Sequence, residues 1–388
     1  MTMKQLTWWK RWVGGAAAVG LLGACGSVPL YGNPELPRAP RQPPVSFFEI
    51  DWWTPLVKPP LLEYAPREFA SPAFDPDSRH VVALTRDGIA RGLTPDGKVV
   101  WSVETGIRFN AGAAVHNGVA YVPGGNGILY AIDVRTGAVK WKYTAGESLA
   151  TVPVVADGLV LVVSESDTLF AVKADDGQWA WQYRRDPPSG FTIHGACRPL
   201  VHEETAYVGF SDGYLVALKT SDGSVTWEKS LSGGGTEFLD VDTTPVLDEA
   251  GHLYVASYKG GLYALEAESG DVVWNTAVEG ITSLLARGQV LFTSGDGRVE
   301  AFLGENGKRI WTLKLGERSG YSPVFARGML LVPIQRALLF VDPVTGQSRL
   351  SWNPGDGISA TPYVQGSKVF VLSNNGYLYS MDILGTHG

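Results

Sequence analysis

Cysteine is scarce in this sequence of 388 residues, since only Cys25 and Cys197 are present and they are far apart. The six histidines are scattered without the spacing of metal ligands, and the chain has no Gly-x-Ser-x-Gly or His-Glu-x-x-His motif. Most aspartates and glutamates fall in stretches typical of turns. Because no catalytic constellation remains, we predict that the protein is not an enzyme and uses no cofactor or metal.

Basic stripes and helical periodicity are also lacking. The formal net charge is −7, and it becomes −10 without the first 24 residues, which carry three basic residues and no acid. Binding of nucleic acid calls for a basic stripe or patch, so nucleic acid is excluded as a partner. Because the body of the chain lacks the periodicity of amphipathic helices, the sequence predicts an all-β fold.

The apolar run near the start of the chain, from Val13 to Ala24, is too short to span a bilayer as a helix. It follows basic residues and ends in small ones, which is the pattern of an export signal. We therefore predict that residues 1–24 are a signal peptide and lie outside the fold.

The signal ends in Leu22-Gly23-Ala24-Cys25, which resembles the bacterial lipobox. The resemblance implies that Cys25 becomes the lipidated first residue of the mature protein, and acyl chains there would anchor a soluble domain to a membrane. The alternative is a plain signal peptide with an incidental cysteine. Gly26, in place of aspartate, implies sorting to the outer membrane by similarity to enterobacterial lipoproteins.

A proline-rich segment follows the signal. Residues 25–46 contain six prolines and few apolar residues, so they predict an extended tether that holds a folded domain off the membrane surface. The domains expected are therefore a signal peptide (1–24), a lipidated cysteine with its tether (25–46), and a folded domain (47–388).

One short hairpin pattern repeats through the folded domain. The stretch from Ala131 to Trp141 is a strand, a tight turn at Thr136-Gly137 and a second strand that reaches the tryptophan. The turn glycines of all copies lie at positions 97, 137, 177, 223, 270, 307 and 346. A period of roughly 40 residues is typical of β-propellers, in which each repeat forms one four-stranded antiparallel blade.

The two ends of this array complete each other. A strand from Phe47 to Val57 has no repeat in front of it, whereas the last repeat stops before its outer strand. If the first strand supplies that outer strand, the count is eight blades and the ring closes by pairing the chain ends. We therefore predict an eight-bladed propeller that is closed by the N-terminal strand.

Tryptophan recurs at one place in the repeat, at positions 101, 141, 181, 227, 274 and 311, with Leu350 in the weak seventh copy. A large ring at a fixed place in each blade predicts packing between neighbouring blades. Cys197, a lone cysteine in a strand-like context, is expected to be a small buried residue.

Two consecutive connections between blades are longer than the others. Pro153 lies twelve positions after Trp141, whereas Pro199 lies eighteen positions after Trp181 and Pro245 eighteen positions after Trp227. Both insertions occur at the same place in the repeat, so they are expected side by side on one face of the ring. Such a face is where repeat proteins tend to bind partners.

These two loops supply the candidate partner-binding residues, which are Phe191, Ile193, His194, Phe238, Leu239, Asp240 and Asp242. The alternative for Phe191 and Phe238 is that their rings fold back and cap the blades. The two aspartates alternate with Val241, so both carboxylates are expected to point the same way from an exposed extended segment. A calcium site is the other explanation of these aspartates, but few further oxygen ligands lie nearby.

The repeat, Ala-x-Asp-x-x-Thr-Gly-x-x-x-Trp, is similar to that of the pyrroloquinoline quinone (PQQ) dehydrogenase propellers and of the BamB family, propeller lipoproteins of the outer-membrane β-barrel assembly machine. The segment from Leu239 to Pro245 closely resembles an Asp-Val-Asp-Thr-Thr-Pro segment of the BamB family, whose aspartates belong to the surface that engages BamA. His194 stands where that family often has arginine, which implies a weaker or pH-dependent contact.

The resemblance to the BamB family implies a non-catalytic scaffold in the outer membrane, facing the periplasm. Its implied partners are the periplasmic POTRA domains of a BamA-like protein and unfolded outer-membrane proteins. One alternative is a quinoprotein or other ligand-binding periplasmic propeller, although quinoproteins are longer and generally carry adjacent cysteines and a calcium site. Another alternative is an exported interaction module outside that machine.

Overall fold

The computed structural model describes residues 46–58, 66–186, 196–232, 240–241, 243–316 and 319–385. They belong to the compact unit Ser46–Gly388, whereas a separate unit, Met1–Val45, lies outside the described residues. The described residues form 32 strands in eight four-stranded antiparallel sheets and contain no helix. They accordingly include no helix long and apolar enough to cross a membrane. The predicted eight-bladed propeller is confirmed.

Seven blades are runs of four consecutive strands. Blade 1 contains β2 (Ala73–Phe74), β3 (Val81–Leu84), β4 (Ile89–Leu93) and β5 (Val99–Glu104). Blade 2 contains β6 (Ala114–His116), β7 (Val119–Pro123), β8 (Ile128–Asp133) and β9 (Val139–Thr144). Blade 3 contains β10 (Val154–Ala156), β11 (Leu159–Val163), β12 (Thr168–Lys173) and β13 (Trp179–Arg184). Blade 4 contains β14 (Leu200–His202), β15 (Thr205–Gly209), β16 (Tyr214–Lys219) and β17 (Val225–Ser230).

The second half of the ring continues the pattern. Blade 5 contains β18 (Val246–Leu247), β19 (His252–Ser257), β20 (Gly261–Glu266) and β21 (Val272–Thr276). Blade 6 contains β22 (Ile281–Arg287), β23 (Val290–Gly295), β24 (Arg298–Leu303) and β25 (Arg309–Lys314). Blade 7 contains β26 (Val324–Ala326), β27 (Met329–Ile334), β28 (Ala337–Val341) and β29 (Ser348–Trp352). Blade 8 contains β30 (Tyr363–Gln365), β31 (Lys368–Leu372), β32 (Tyr377–Ile383) and β1 (Phe48–Pro55).

Burial changes from the first to the fourth strand of each blade. First strands of neighbouring blades contact each other, as β2 does with β6 and β6 with β10, so they form the inner wall of the ring. The second and third strands are almost wholly buried, because neighbouring blades cover both of their faces. Fourth strands such as β17 alternate between exposed and half-buried residues, as expected at the outer rim.

Each packing tryptophan joins its own outer strand to the next blade. The indole Nε1 of Trp101 donates a hydrogen bond to the carbonyl of Val134, 2.7 Å away, and the ring lies against Gly137. A Cβ at Gly137 would approach that ring to 2.7 Å, and the positive φ of 74° also requires glycine. The other indoles that donate to a carbonyl of the next blade are those of Trp52, Trp141, Trp181, Trp227, Trp274 and Trp311. The predicted packing role of the tryptophans is confirmed.

Leu350 replaces tryptophan where the next blade has no tight turn for it. Blade 8 is closed by two separate chain ends, and Phe48 of β1 stacks there on Phe340 with ring centroids 5.3 Å apart. Leu350 pairs across the sheet with Phe340, whereas the tryptophans of the other blades pair with glycine, alanine or serine. The smaller leucine therefore leaves room for two phenylalanines, Phe340 opposite it in the same sheet and Phe48 of β1 in the next blade.

The ring closes through β1, which pairs antiparallel with β32 from Phe48 opposite Ile383 to Pro55 opposite Tyr377. Lys368 of β31 adds ion pairs to Asp51 at 2.7 Å and to Asp382 at 2.6 Å. Since β1 also carries Trp52 to the turn of blade 1, one strand both completes the last blade and holds the first. The predicted closure by the N-terminal strand is confirmed.

Candidate partner-binding face

The two long connections leave the ends of β13 and β17 and enter β14 and β18. Because neighbouring strands of a blade run in opposite directions, the turn between the second and third strands lies at this same end. We call this end the connection face. It comprises the described parts of residues 185–199 and 231–245 together with the turns 164–167 and 210–213. Backbone hydrogen bonds from Arg185 to Asp167 and from Leu231 to Gly213 join the connections to these turns.

Arg185, the first residue after β13, ties blade 3 to blade 4. Its Nε donates to Asp212 at 2.5 Å, and its Nη1 donates to Glu228 at 2.8 Å and to the hydroxyl of Tyr183 at 3.1 Å. The guanidinium also lies over the ring of Tyr214, 4.3 Å from its centroid. Burial lowers the pKa of Arg185, but the hydrogen bonds that it donates to Asp212 and Tyr183 raise the pKa by more, so the side chain stays charged.

Asp167 forms the buried base of the same face. It adopts a positive φ of 57°, and its carboxylate accepts hydrogen bonds from the backbone N–H and the hydroxyl of Ser211. Burial, followed by the nearby carboxylates of Asp212 and Asp240, raises the pKa of Asp167 despite those hydrogen bonds. Three carboxylates therefore meet where the two long connections begin and end.

The end of the second connection is inserted between blades 4 and 5. The backbone N–H of Val241 donates to Phe210 at 3.2 Å, and the carbonyl of Asp240 accepts from Tyr258 at 3.2 Å. A Cβ at Gly209 would lie 2.2 Å from the carbonyl oxygen of Val241, so glycine is required for this close approach.

The expectation that Asp240 is exposed is wrong, because only 1% of its surface is accessible and the neighbouring Val241 is fully buried. Residues 240 and 241 belong to no strand, so the alternation expected of an extended segment does not govern them. Backbone hydrogen bonds to two different blades hold both residues inside the ring instead. Asp242 lies outside the described residues.

Cys197 joins the two connections to each other. Its thiol is buried and donates to the carbonyl of Thr243 at 3.3 Å. The hydroxyl of Thr243 in turn accepts from the backbone N–H of Ala256 and donates to its carbonyl, both at 2.9 Å. The predicted burial of Cys197 is confirmed, and its position makes it part of the base of the connection face.

The remaining candidate residues lie outside the described residues. They are Cys25, Phe191, Ile193, His194, Phe238, Leu239 and Asp242. Their roles remain predictions, because the structure describes only the residues that flank each loop. In the parts of the chain that the structure describes, no three His, Cys, Asp or Glu side chains are arranged to hold a metal ion.

Sequence reasoning missed the cluster around Arg185. Asp212 looked like an ordinary turn residue before Gly213, and Arg185 lies between a strand and a proline-rich loop. The one available signal was position, because both residues border the eighteen-residue spacings. Pairing across two blades is a tertiary contact that no local pattern predicts.

A cavity of about 380 Å³ lies on the inner wall, where residues at the first strands of blades 1, 2, 3, 4 and 8 line it. Arg198, near the end of the first long connection, is one of these lining residues. The connection face and the inner wall of the ring therefore meet at this arginine.

Comparison with known proteins identifies the family. Residues 86–302 and 295–385 match the family model described as outer membrane protein assembly factor BamB. A protein of that name from Shewanella oneidensis is 29% identical over 283 residues, which cover 70% of this chain and 71% of that protein.

Solved structures show the same fold. BamB from Moraxella catarrhalis superposes with a TM-score of 0.76 at 23% identity, covering 86% of this chain and 99% of that one. A quinohemoprotein alcohol dehydrogenase from Pseudomonas putida HK5 has a TM-score of 0.68 at 12% identity, covering 88% of this chain and 77% of that one. Such low identities reflect the fold alone, but the family model covers most of the sequence. The chain therefore belongs to the family of outer membrane protein assembly factor BamB.

Proposed function

We propose that this protein is a non-catalytic scaffold lipoprotein of the outer-membrane β-barrel assembly complex. Through its connection face it binds the periplasmic POTRA domains of a BamA-like protein, and it assists the folding and insertion of outer-membrane proteins. The observation that carries this proposal is the pair of adjacent long connections in a chain of the BamB family. The shared fold alone would not distinguish a scaffold from a quinoprotein.

The contacts at the base of the connection face support a binding role. Arg185, Cys197 and Val241 fix the ends of the two loops, so fewer conformations are lost when a partner orders the loop tips. Glu228 and Asp212 add carboxylates beside the first loop, and a partner arginine or lysine can donate charge-assisted hydrogen bonds to such groups.

The proposal is tested by recovering the lipidated protein from membranes and measuring how much BamA-like protein accompanies it. Ile193→Ala combined with His194→Ala, and separately Asp242→Ala, should reduce recovery of the partner at least tenfold and leave the melting temperature nearly unchanged. Asp240 is left out, because its burial means that Asp240→Ala would disturb folding.

Glu305→Ala provides the control. Glu305 is an exposed carboxylate in the turn between β24 and β25, at the opposite end of the blades. It should leave both the fold and the partner unaffected. Partner recovery that survives all the loop variants would move the binding surface elsewhere on the ring. The quinoprotein alternative would be favoured instead if purified protein bound added pyrroloquinoline quinone and failed to retain the barrel protein.

A further inference from the structure

Arg198 is unusual for its position in the repeat. In six blades, the residue two positions before the first strand directly precedes a proline. These six residues are Ser71, Val152, Arg198, Thr244, Ser322 and Thr361. Arg198 is the only charged residue among them. Folding of the blade does not require a charge at this place, since the other five blades do without one.

The side chain of Arg198 has no hydrogen-bond or ion-pair partner among the described residues. In contrast, Arg185 at the start of the same connection has three acceptors. The side chain is exposed to the cavity, and the atoms packed around it lower the pKa of Arg198 by desolvation. An arginine stays protonated in proteins, so the cavity presents a positive charge with which no described residue pairs.

The cavity around Arg198 combines one cation with a wall of mixed polarity. Its described lining includes Phe74, Val152 and Val154 as apolar side chains, the polar side chains of Ser71, His116, Thr361 and Tyr363, and no aspartate or glutamate. Its volume of about 380 Å³ lies in the range of sites for small molecules. A ligand that fits this lining carries a negative group at one end and an apolar body at the other.

The single cation favours a carboxylate over a phosphate. The fork of an arginine matches the two oxygens of a carboxylate, whose charge of −1 it neutralises in full. A phosphate monoester carries about −1.5 to −2 near pH 7, which one guanidinium neutralises only in part. We propose that this cavity binds a small carboxylate with an apolar body, and that the carboxylate pairs with Arg198 while the body packs on Val152, Val154 and Phe74.

Arg198 lies at the edge of the connection face, but its binding of a small ligand does not require the partner proposed for that face. It can therefore be tested on the purified mature chain alone. Benzoate serves as the probe, benzamide as its neutral counterpart, and inorganic phosphate as an anion without an apolar body. Isothermal titration calorimetry should show binding of benzoate, with benzamide and phosphate each bound at least tenfold more weakly, because a charge-assisted pair and apolar contact are both required.

Arg198→Thr places at this site the residue that blades 5 and 8 carry, and it should weaken benzoate binding at least tenfold while the melting temperature stays the same or rises. Arg135→Thr is the matched control, since Arg135 is exposed in the turn of blade 2, and it should bind benzoate like the wild type. Arg198→Gln is a second variant in case the first does not fold.

Three outcomes would overturn the proposal. They are no binding of benzoate to the wild type, equal binding by the wild type and the Arg198 variants, and phosphate binding at least as tight as benzoate binding. The last would indicate a simple anion site without a role for the apolar wall.

Discussion

Each packing tryptophan occupies space that two neighbouring residues leave free. One is the turn glycine of the next blade, and the other is the small residue opposite the tryptophan in its own sheet. For Trp181 these are Gly223, where a Cβ would lie 2.5 Å from the indole, and Ala171. The joint between two blades therefore depends on three positions that are far apart in the chain.

The first prediction compares two tryptophans of the same strand. Trp181 is 6% exposed and donates to the carbonyl of Thr220 at 2.8 Å, whereas Trp179 is 56% exposed. Trp181→Ala should lower the free energy of unfolding by about 3–5 kcal/mol, because it empties the space between blades 3 and 4. Trp179→Ala should change it by about 0.5 kcal/mol or less. Urea denaturation measures both, and equal losses would contradict the inter-blade role.

At the scale of elements, blades 1 and 8 are joined by a buried polar network as well as by β1. Glu68, in the segment between β1 and β2, forms an ion pair with Arg86 of the turn between β3 and β4. Its backbone N–H donates to the side chain of Asn374 at 3.1 Å, and Arg86 donates to the carbonyl of Asn374 at 3.2 Å. The segment before β2, the turn between β3 and β4 and the turn between β31 and β32 thus meet at Glu68.

The second prediction concerns the pH dependence of this closure. Burial raises the pKa of Glu68 from 4.5 to about 7, although Arg86 acts in the opposite direction. A carboxyl with a raised pKa binds its proton more tightly in the folded state, so its contribution to stability is present below about pH 4.5 and is lost as the pH rises to about 7.

Glu68→Gln removes this titration. Between pH 4.5 and pH 7.5 the variant should therefore gain about 3 kcal/mol in stability relative to the wild type. The free energies of unfolding of both proteins at several pH values measure the difference. Glu305→Gln, at an exposed turn, should show no such trend. If the wild type instead gained on the variant as the pH rose, Arg86 would hold the carboxylate charged.

At the scale of the whole molecule, the propeller is expected to be anchored to a membrane through acyl groups on Cys25. The third prediction is that Cys25→Ser leaves the chain without acyl groups and releases it from the membrane fraction, because each buried methylene contributes ~0.8 kcal/mol to anchoring. Cell fractionation measures the distribution. Cys197→Ser is the control, since Cys197 is buried in the ring and should not affect anchoring. A Cys25→Ser protein that still sediments with membranes would contradict the lipobox interpretation.

The sequence by itself determined the repeat, the number of blades and the way in which the ring closes. Each of these follows from local signals that recur at a fixed period, namely the turn glycines, the tryptophans and the unpaired strand from Phe47 to Val57. The reason is physical: a blade needs the same turn geometry and the same inter-blade packing each time, so the requirement is repeated in the residues. Burial of Cys197 was also predicted, although the residue lies in a connection and not in a strand as its surroundings suggested.

Only the tertiary structure decided what happens at the single exceptions to the repeat. Asp240 was expected on the surface, but the backbone hydrogen bonds from Tyr258 to Asp240 and from Val241 to Phe210 hold this segment inside. The partners of Arg185 come from the next blade, and the isolation of Arg198 depends on what five different blades place around it. A repeat pattern carries the contacts that all blades share, whereas the environment of a residue found in one blade depends on neighbours that are distant in the chain.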